Sequence, residues 1–467
     1  MSKLYVFGIG GTGSRVIRSL TYLLASGIDL NVSTIVPIII DPDAANGDVN
    51  RTIELLKKYQ EIRNEINQVD DNSFFSKEIR HISQNFKLNI QHSNRKFKEY
   101  IDYSSLDESN KALVSMLFSE QNLDAQMEVG FKGNPNIGSV VLNQFQQSDD
   151  FKTFASSFQQ GDKIFIISSI FGGTGASGFP LLLKNIRSAN QNLPNFALLQ
   201  SARIGAISVL PYFGIKPNDD SAIDKSTFIS KTKAALSYYE HGVTNGSLDT
   251  MYYIGDNRNK DYDNHEGSFS QKNDAHFIEL ASALAIIDFV NDNSISTNVV
   301  KEFGMENDTD SITFKDLSTQ TRSILSAPLS QYFYFDLFLK NHLTNSFEAD
   351  FARKEPVINQ EFLRKPFYQN LSSFNEEFQN WLREMKDNNR SFVPFELSPS
   401  INEIFKYVNH IEPKKESFSL FPVKNYDKFI AELNKANREL TATEINQKFI
   451  SLFYNGTKSL IQEKFNF

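Results

Sequence analysis

Two glycine-rich loops, each placed between an apolar run and a helical pattern, restrict the fold of this chain more than any other feature. Residues 8–13 (GIGGTG) follow the apolar run 3–7, and apolar residues then recur at helical spacing. Residues 171–178 (FGGTGASG) follow the run 163–170 (KIFIISSI) and again precede a helical pattern. This order of strand, glycine loop and helix predicts α/β units whose loops lie at the carboxyl edge of a parallel sheet.

Three further apolar runs complete the predicted sheet. They span residues 34–40 (TIVPIII), 206–212 (AISVLPY) and 250–254 (TMYYI), and a polar, largely helical stretch covers 51–126. Continuous apolar runs of this length are typical of parallel strands that are buried on both faces. The chain is therefore predicted to be an α/β protein that has a mostly parallel sheet with helices on both faces.

The predicted organisation has three parts. Residues 1–270 form the α/β domain, a connecting helix over 271–292 begins near Asn273, and residues 293–467 form a mainly helical C-terminal region. The helical prediction for the last part depends on amphipathic stretches around residues 318–350, 359–387, 426–438 and 444–465.

The composition excludes several kinds of site and partner. Asp and Glu number 56 against 48 Lys and Arg, so the net charge of −8 gives no general electrostatic reason to bind nucleic acid. The chain has no cysteine, which excludes disulfides and thiolate metal sites. No window approaches the about 18 consecutive apolar residues of a membrane span, and the first residues lack a signal-peptide pattern. We therefore predict a cytoplasmic protein without an integral membrane segment.

The glycine loops have the chemistry of a phosphate site. A helix that starts directly after a strand leaves backbone N–H groups unpaired at the positive end of its dipole, and glycine lets an anion approach the backbone closely. The first loop alone fits a dinucleotide fold in which Asp41 or Asp43 holds a ribose, an adenylating enzyme, or a tight turn without a ligand. The lysine-containing phosphate motif Gly-x-x-x-x-Gly-Lys-Ser/Thr is absent.

Two more segments point to one family. Residues 133–138 (GNPNIG) form a glycine-punctuated loop that enters a helix. Residues 41–44 (DPDA) directly follow the apolar run 34–40. Together with the two glycine loops, these segments resemble, in order and separation, the four nucleotide loops of the tubulin/FtsZ superfamily, and most of all its divergent bacterial tubulin-like members. The resemblance covers roughly residues 1–290. It implies a tubulin/FtsZ-like nucleotide-binding domain that binds GTP or GDP with Mg²⁺.

The resemblance implies roles for individual residues. Backbone amides of the first and fourth loops would hold the phosphates, Asp43 would support Mg²⁺ through water, and Asn134 would face the γ-phosphate. Asn273 and Phe277, at the start of the family's central helix, would contact the base, with a helix cap and a core aromatic as the alternative roles. The predicted nucleotide contacts are Gly10, Gly11, Thr12, Gly13, Arg15, Asp41, Asp43, Gly133, Asn134, Gly172, Gly173, Thr174, Gly175, Asn273 and Phe277.

Two departures from the family pattern concern the base and hydrolysis. Arg15 stands where the family has a base-contacting Asn, so guanine selectivity is left open. After the central helix the family carries acidic residues that polarise water in the neighbouring subunit's site, whereas this chain offers only Asp292, with Asp288 one turn earlier. We take these two as the candidate catalytic residues, with a solvated helix end as the alternative. Hydrolysis is then slow, uses Glu302 or Glu306, or is absent.

The sequence thus predicts a nucleotide-dependent protein that assembles with itself, head to tail, into a homo-oligomer or filament. The helical C-terminal region ends in an amphipathic stripe that would pack on its own domain or dock on a protein partner. Two alternatives stay open. One is a nucleotide-gated scaffold that binds GTP without hydrolysing it, and the other is an adenylating or NAD-dependent enzyme that uses only the first loop.

Overall fold

A computed structural model gives the fold of most of the chain. It describes residues 2–43, 45–66, 73–82, 85–128, 130–131, 134–215, 225–243, 246–256, 260–262, 272–294, 296–303, 309–397, 401–414 and 425–467.

A seven-stranded parallel sheet lies at the centre of the molecule. The strands of the chain are β1 (Lys3–Ile9), β2 (Thr34–Ile40), β3 (Glu78–Ile79), β4 (Lys163–Ser169), β5 (Arg203–Val209), β6 (Phe213–Ile215), β7 (Thr250–Ile254), β8 (Lys260–Tyr262), β9 (Val299–Phe303), β10 (Ser311–Ile312) and β11 (Ser391–Phe392). The central sheet has the order β3-β2-β1-β4-β5-β7-β9, and β6 pairs with β8 and β10 with β11. Every pairing in the central sheet is parallel, which confirms the predicted sheet type.

Helices connect the strands and form most of the C-terminal region. They are α1 (Gly10–Ala25), α2 (Gly47–Asn64), α3 (Phe97–Tyr100), α4 (Glu108–Leu117), α5 (Glu120–Leu123), α6 (Pro135–Leu142), α7 (Asp149–Ser157), α8 (Gly173–Arg187), α9 (Phe196–Gln200), α10 (Lys225–Tyr238), α11 (Phe277–Asn291), α12 (Thr319–Asn341), α13 (Asp350–Arg353), α14 (Pro366–Lys386), α15 (Asn425–Glu439) and α16 (Ile445–Lys464). None of the helices in the described ranges has the length and apolar character needed to cross a bilayer.

Helices cover both faces of the sheet. From β1 the chain crosses through α1 to β2 on one side, whereas from β4 it crosses through α8 to β5 on the other side. Because such crossovers are right-handed, the opposite directions put α1 and α8 on opposite faces. α2 and α11 pack against α1, and α6 packs against α8. The prediction of an α/β fold with two helical layers is confirmed.

One predicted strand is displaced in the structure. The run 206–212 was expected to be extended, but β5 begins at Arg203 and ends at Val209. Proline has no N–H group to donate to a neighbouring strand, so Pro211 cannot continue the ladder. The apolar residues that precede the proline therefore form the strand, together with Arg203 and Ile204.

The connecting helix starts later than predicted. It begins at Phe277 rather than near Asn273, because His276 and Glu279 form a capping box. His276 Nδ1 accepts a hydrogen bond from the Ile278 N–H at 3.0 Å, and a Glu279 carboxylate oxygen accepts one from the His276 N–H at 3.1 Å. These two bonds satisfy N–H groups that the first turn of a helix leaves unpaired.

The C-terminal region is mainly helical, as predicted, but it also completes the central sheet. β9 lies beyond the predicted boundary at residue 292 and pairs with β7 along Thr250–Ile254. The α/β domain therefore continues through Phe303, and the boundary at 292 falls between two of its elements.

An aromatic seam joins the helical region to the α/β domain. Tyr22 of α1 packs on three rings of α14, with centroid distances of 5.5 Å to Phe374, 5.7 Å to Phe378 and 4.9 Å to Trp381. All four side chains are buried. Because each aromatic side chain contributes about 1.5–3 kcal/mol when it is fully buried, this seam makes the helical region part of one packed structure with α1.

Candidate functional site

The first and fourth glycine loops meet at the carboxyl edge of the sheet. β1 and β4 are adjacent and parallel, and α1 and α8 start directly after them. A Cβ atom built on Gly10 would lie 3.7 Å from Thr174 Cβ and 4.0 Å from the Gly175 nitrogen. Two loops that are far apart in the sequence therefore lie side by side at this edge.

The two helices begin without side-chain caps. Ile9 and Gly172 hold the cap positions of α1 and α8, and neither makes a side-chain cap hydrogen bond. The first turns carry no acidic residue in either helix. N–H groups and the positive ends of two helix dipoles thus converge on one point, which is the geometry of an anion site.

Two of the predicted phosphate-binding glycines also have a packing role. A Cβ atom on Gly13 would lie 2.5 Å from the Gly8 carbonyl carbon, and one on Gly175 would lie 2.5 Å from the Ser169 carbonyl oxygen. Each helix therefore starts against the backbone of its own loop or strand. Gly10 has φ +73, a conformation that favours glycine. The loops need glycine to form at all, before any ligand is considered.

The second loop lies beside the first. A Cβ atom on Gly11 would be 3.8 Å from both Asn46 Nδ2 and Asp48 Oδ2. Asn46 caps α2 by accepting hydrogen bonds from the Asp48 N–H at 2.9 Å and the Val49 N–H at 3.2 Å. The predicted second loop therefore reaches the first through the start of α2.

Asp41 and Asp43 are both buried at this edge. Asp41 Oδ1 accepts a hydrogen bond from the Asp43 N–H at 2.9 Å, and Asp43 Oδ1 accepts one from the Ala45 N–H at 2.9 Å. Lys87 Nζ donates to the Asp43 carbonyl oxygen at 2.8 Å. Burial raises the pKa of Asp41 to about 7, although the nearby charge of Lys87 opposes the shift.

The second loop fits a hydrated Mg²⁺ ion only in part. Carboxylate oxygens are suitable ligands for Mg²⁺, which keeps several of its waters. Within the described ranges, however, no group of three or more Asp, Glu or His side chains is arranged to hold a metal. The cation that the structure does bring to Asp41 and Asp43 is Lys87.

The third loop is brought to the fourth by helix packing. Asn134 caps α6, since its Oδ1 accepts hydrogen bonds from the Asn136 N–H at 3.1 Å and the Ile137 N–H at 3.4 Å. A Cβ atom on Gly138 would lie 2.2 Å from Ser177 Oγ, so α6 and α8 touch closely there. Gly133, the other predicted contact in this loop, lies outside the described residues.

Arg15 lies inside a buried charge cluster. Its Nε donates to Glu279 at 2.5 Å, Nη1 donates to Asp48 at 2.6 Å, and Nη2 donates to the Tyr212 hydroxyl at 2.8 Å and to Thr12 Oγ1 at 3.3 Å. The residue is 3% exposed. Arg15 was predicted to contact the nucleotide, but all three of its guanidinium nitrogens bond to protein groups. It supports the first loop through Thr12.

The two predicted base contacts, Asn273 and Phe277, also contact protein groups. Asn273 precedes α11 and bonds through its backbone, with its N–H donating to Asp48 at 3.2 Å and its carbonyl accepting from Arg51 at 2.7 Å. Phe277 is 5% exposed and packs on Phe392 at a centroid distance of 5.4 Å. Phe277 is thus a core aromatic, which was the alternative role given for it. The cap of α11 is His276 rather than Asn273.

The candidate catalytic residues lie at the other end of α11. Asp288 accepts hydrogen bonds from the Tyr252 hydroxyl at 2.6 Å and from Lys301 at 2.5 Å, and Asp292 lies 3.6 Å from Lys301. Lys163, the first residue of β4, donates to the Val290 carbonyl at 2.7 Å, which puts this end at the amino edge of the sheet. Asp288 and Asp292 are therefore remote from the glycine loops of their own chain.

Two further acidic residues were named as alternatives for hydrolysis. Glu302 is exposed on β9, and Glu306 lies outside the described residues.

Several residues that build the candidate site were not predicted from the sequence. Asp48, Tyr212, Glu279 and Lys87 all contact the predicted loops or Arg15. The only local signal was the capping pattern that precedes α11, with Glu279 three residues after His276.

A separate open cleft of about 470 Å³ lies in the helical region. It is lined by Lys315, Thr319, Arg322, Ser323, His410, Ile411, Glu412, Asn466 and Phe467, none of which belongs to the four loops.

No protein-family model and no curated protein matches this sequence. Solved structures do match. CetZ2 from Haloferax volcanii, a GTPgS-bound protofilament, is 12% identical and has a TM-score of 0.32, with 62% of this chain and 58% of that chain covered. CetZ1 from the same organism, a GDP-bound monomer, is 13% identical with a TM-score of 0.32 and coverage of 63% and 62%. The TubZ-Bt two-stranded filament is 12% identical with a TM-score of 0.23 and coverage of 64% and 57%. The match thus spans less than two thirds of each of those chains.

Proposed function

We propose that this chain is a tubulin/FtsZ-like GTP-binding protein of the cytoplasm. GTP or GDP would bind at the carboxyl edge of the central sheet, with its phosphates between the first and fourth loops. Copies of the chain would associate head to tail in a nucleotide-dependent way, with slow hydrolysis at most.

The observation that carries this proposal is the meeting of two uncapped helix starts. Gly10 and Thr174 are close enough that a Cβ atom on Gly10 would touch the Thr174 side chain, so the first turns of α1 and α8 lie together at one edge. Backbone N–H groups of Gly11, Thr12, Gly13, Gly173, Thr174 and Gly175 would bind the phosphate oxygens. A dinucleotide or adenylating enzyme that uses one such loop leaves the second helix start without a role.

Two positive charges would lie beside the phosphates, a Mg²⁺ ion and the ammonium group of Lys87. Asp43 would orient a hydrated Mg²⁺, as the family resemblance implies. Lys87, whose ammonium bonds to the Asp43 carbonyl at 2.8 Å, would supply a fixed positive charge beside it. Mg²⁺ neutralises phosphate charge when it is bound.

Head-to-tail association would use the two ends of the sheet. The loops lie at the carboxyl edge, while Asp288 and Asp292 lie at the amino edge, so one copy's acidic residues would face the next copy's nucleotide. Contacts between different surfaces of identical chains extend into filaments when they do not close into a ring.

A second candidate function is a scaffold that binds GTP without turning it over. It is favoured by the pairing of Asp288 with Lys301 and Tyr252, because a carboxylate engaged in this way is less able to polarise a water molecule. In that case nucleotide binding would control assembly or a partner of the helical region, and no phosphate would be released.

The test introduces a negative charge at the start of α8. Gly172 has the extended backbone of a cap residue, so Gly172→Asp should cap the helix while it repels phosphate, once the Ser169 hydroxyl, 2.8 Å from the added Cβ atom, rotates away. We expect GTP affinity to fall about 100-fold, the effect of one close like charge in a partly screened site. Gly172→Asn is the matched control, because it caps equally well without charge and should retain most of the binding.

Calorimetric titration with GTP, ATP and NAD would give the affinities and the base preference. Equal GTP affinity in Gly172→Asp and the wild type would show that the phosphates bind elsewhere, and a preference for NAD would favour a dinucleotide enzyme. Light scattering with phosphate release, measured at rising protein concentration, separates the two candidate functions. Assembly with turnover supports the GTPase, and assembly without turnover supports the scaffold.

A further inference from the structure

A carboxylate from the helical region reaches the back of the candidate site. Glu384 lies in the last turn of α14, outside the predicted nucleotide-binding domain. One of its oxygens accepts hydrogen bonds from Arg18 Nη1 at 2.7 Å and from the Ala275 N–H at 2.8 Å. The other oxygen accepts one from Arg51 Nη1 at 2.7 Å. A single side chain therefore joins three separate segments of the α/β domain.

Each of these segments leads to a different part of the candidate site. Arg18 is on α1, which starts at the first glycine loop, and Arg51 is on α2, which follows the second loop. Ala275 lies in the short segment between Asn273 and α11. Movement of any one segment relative to the others would break a bond to Glu384.

A continuous chain of hydrogen bonds runs from Glu384 to the first loop. Arg51, which bonds to Glu384, also donates from Nη2 to Asp48 at 3.2 Å. Asp48 accepts from Arg15 at 2.6 Å, and Arg15 donates to Thr12 Oγ1 at 3.3 Å. Every group in this chain is buried or partly buried, so water competes weakly for its bonds.

The charges in this cluster balance. It contains the guanidinium groups of three arginines and the carboxylates of three acids, Arg15, Arg18, Arg51, Asp48, Glu279 and Glu384. Burial alone would raise the pKa of Glu384, but Arg18 and Arg51 outweigh it and hold the pKa below its ordinary value. Glu384 is therefore ionised, and its loss would leave one positive charge in excess.

We propose that Glu384 is a positioning residue for the nucleotide site. By tying α1, α2 and the segment before α11 together, it holds the first loop, the second loop and the base side of the site in one relative arrangement. Through this residue the helical region sets the affinity of the α/β domain for nucleotide. This inference rests on the proposed function.

The test is the GTP affinity of Glu384→Gln, measured by calorimetry on the full chain. Because the substitution leaves one excess positive charge in the cluster that supports the first loop, electrostatic attraction to the phosphates alone would strengthen binding. If Glu384 acts through geometry, affinity instead falls, by about tenfold for one supporting charged hydrogen-bond set. The direction of the change therefore separates positioning from a simple charge effect.

Two further variants separate positioning from general stability. Ser373→Ala removes a hydrogen bond from Lys58 at 2.8 Å in the same α2–α14 interface, away from Glu384, and should leave GTP affinity unchanged. Arg51→Lys keeps the positive charge but cannot bond to Glu384, Asp48 and the Asn273 carbonyl together, so it should lower affinity even if Glu384→Gln fails to fold.

The outcomes are distinct. If the wild-type chain binds no nucleotide, the proposed function fails and this inference with it. If the wild type binds GTP but Glu384→Gln and Arg51→Lys bind it equally well or more tightly, only the positioning role is overturned. If Ser373→Ala weakens binding as much as they do, the loss reflects the interface as a whole, and Glu384 has no special role.

Discussion

The two ends of α11 hold acidic side chains in opposite environments. At its first turn Glu279 is buried and bonds to Arg15 and Tyr212 at 2.5 and 2.6 Å while it also caps the helix. At its last turn Asp288 and Asp292 share one partly exposed lysine, Lys301. One helix therefore carries a buried, tightly bonded charge cluster at its start, the fixed end, and a partly exposed one at its finish, the loose end.

The two clusters differ in how freely their charges can rearrange. Buried, mutually bonded charges have little freedom to rearrange, which suits loops that must present N–H groups in one geometry. Exposed charges that share one partner can change partners at low cost, which suits a surface that meets another molecule. The carboxyl edge therefore carries charges that are held in place, and the amino edge carries charges that can rearrange.

The largest effect should come from breaking the fixed end with Arg15→Met. The change leaves Asp48 and Glu279 buried with less compensation, so we expect a loss of about 3–5 kcal/mol in the free energy of unfolding. Urea unfolding followed by circular dichroism measures it. Adding Glu279→Gln should recover part of the loss, because it removes one of the orphaned charges. A loss below about 1 kcal/mol for Arg15→Met would mean that the cluster is not tightly bonded.

The pH dependence of stability tests a second buried charge at the carboxyl edge, the carboxyl group of Asp41. Its folded pKa of about 7 lies above the ordinary value of 3.8, so the folded state holds a proton between these pH values that the unfolded state releases. The contribution of Asp41 to stability is therefore fully present below about pH 4, falls as pH rises to about 7, and is level above that. We expect Asp41→Asn to remove about 2–4 kcal/mol of this fall, measured by urea unfolding at each pH.

Two carboxylates serve as comparisons for the Asp41 series. Burial also raises the pKa of Asp336 in the helical region to about 7, so Asp336→Asn should remove a similar slope. At the loose end, the hydrogen bond from Ser294 lowers the pKa of Asp292. Its contribution runs in the opposite direction, being present above the ordinary pKa and lost as pH falls. An unchanged slope in Asp41→Asn would contradict the buried, protonated state of Asp41.

The smallest effect should come from Lys301→Met at the loose end. Its bonds to Asp288 and Asp292 are partly exposed, so the free energy of unfolding should change by less than about 1 kcal/mol. The same urea titration as for Arg15→Met measures it. A loss as large as that of Arg15→Met would remove the distinction between the two ends of α11.

The sheet and its loops were predictable from the sequence because their signals are local. Continuous apolar runs marked β2, β4 and β7, and the glycine loops after β1 and β4 fixed the edge where a site would form. The displacement of β5 also has a local cause in Pro211. β9 (VVKEF) was not predicted, because it is a five-residue edge strand with Val300 and Glu302 exposed and therefore lacks the continuous apolar run of the buried strands.

The charge cluster was not predictable from the sequence. The partners of Arg15 lie 33 residues away at Asp48, 197 at Tyr212 and 264 at Glu279, so no pattern within a window joins them. Glu384 lies 366 residues from Arg18, beyond the region that resembles the tubulin/FtsZ family. A family pattern placed Arg15 at the nucleotide, and only the packed fold shows that its bonds turn inward.

The aromatic seam gives the molecule an internal optical reporter. Trp381 is the single tryptophan of the chain, it is fully buried against Tyr22, and its indole N–H donates to Ser19 Oγ at 3.3 Å. Its emission therefore arises only where α14 meets α1, without contributions from another indole. Separation of the helical region from the α/β domain would bring water to this ring and shift its fluorescence to longer wavelength, so the docking of the two regions can be followed without an added label.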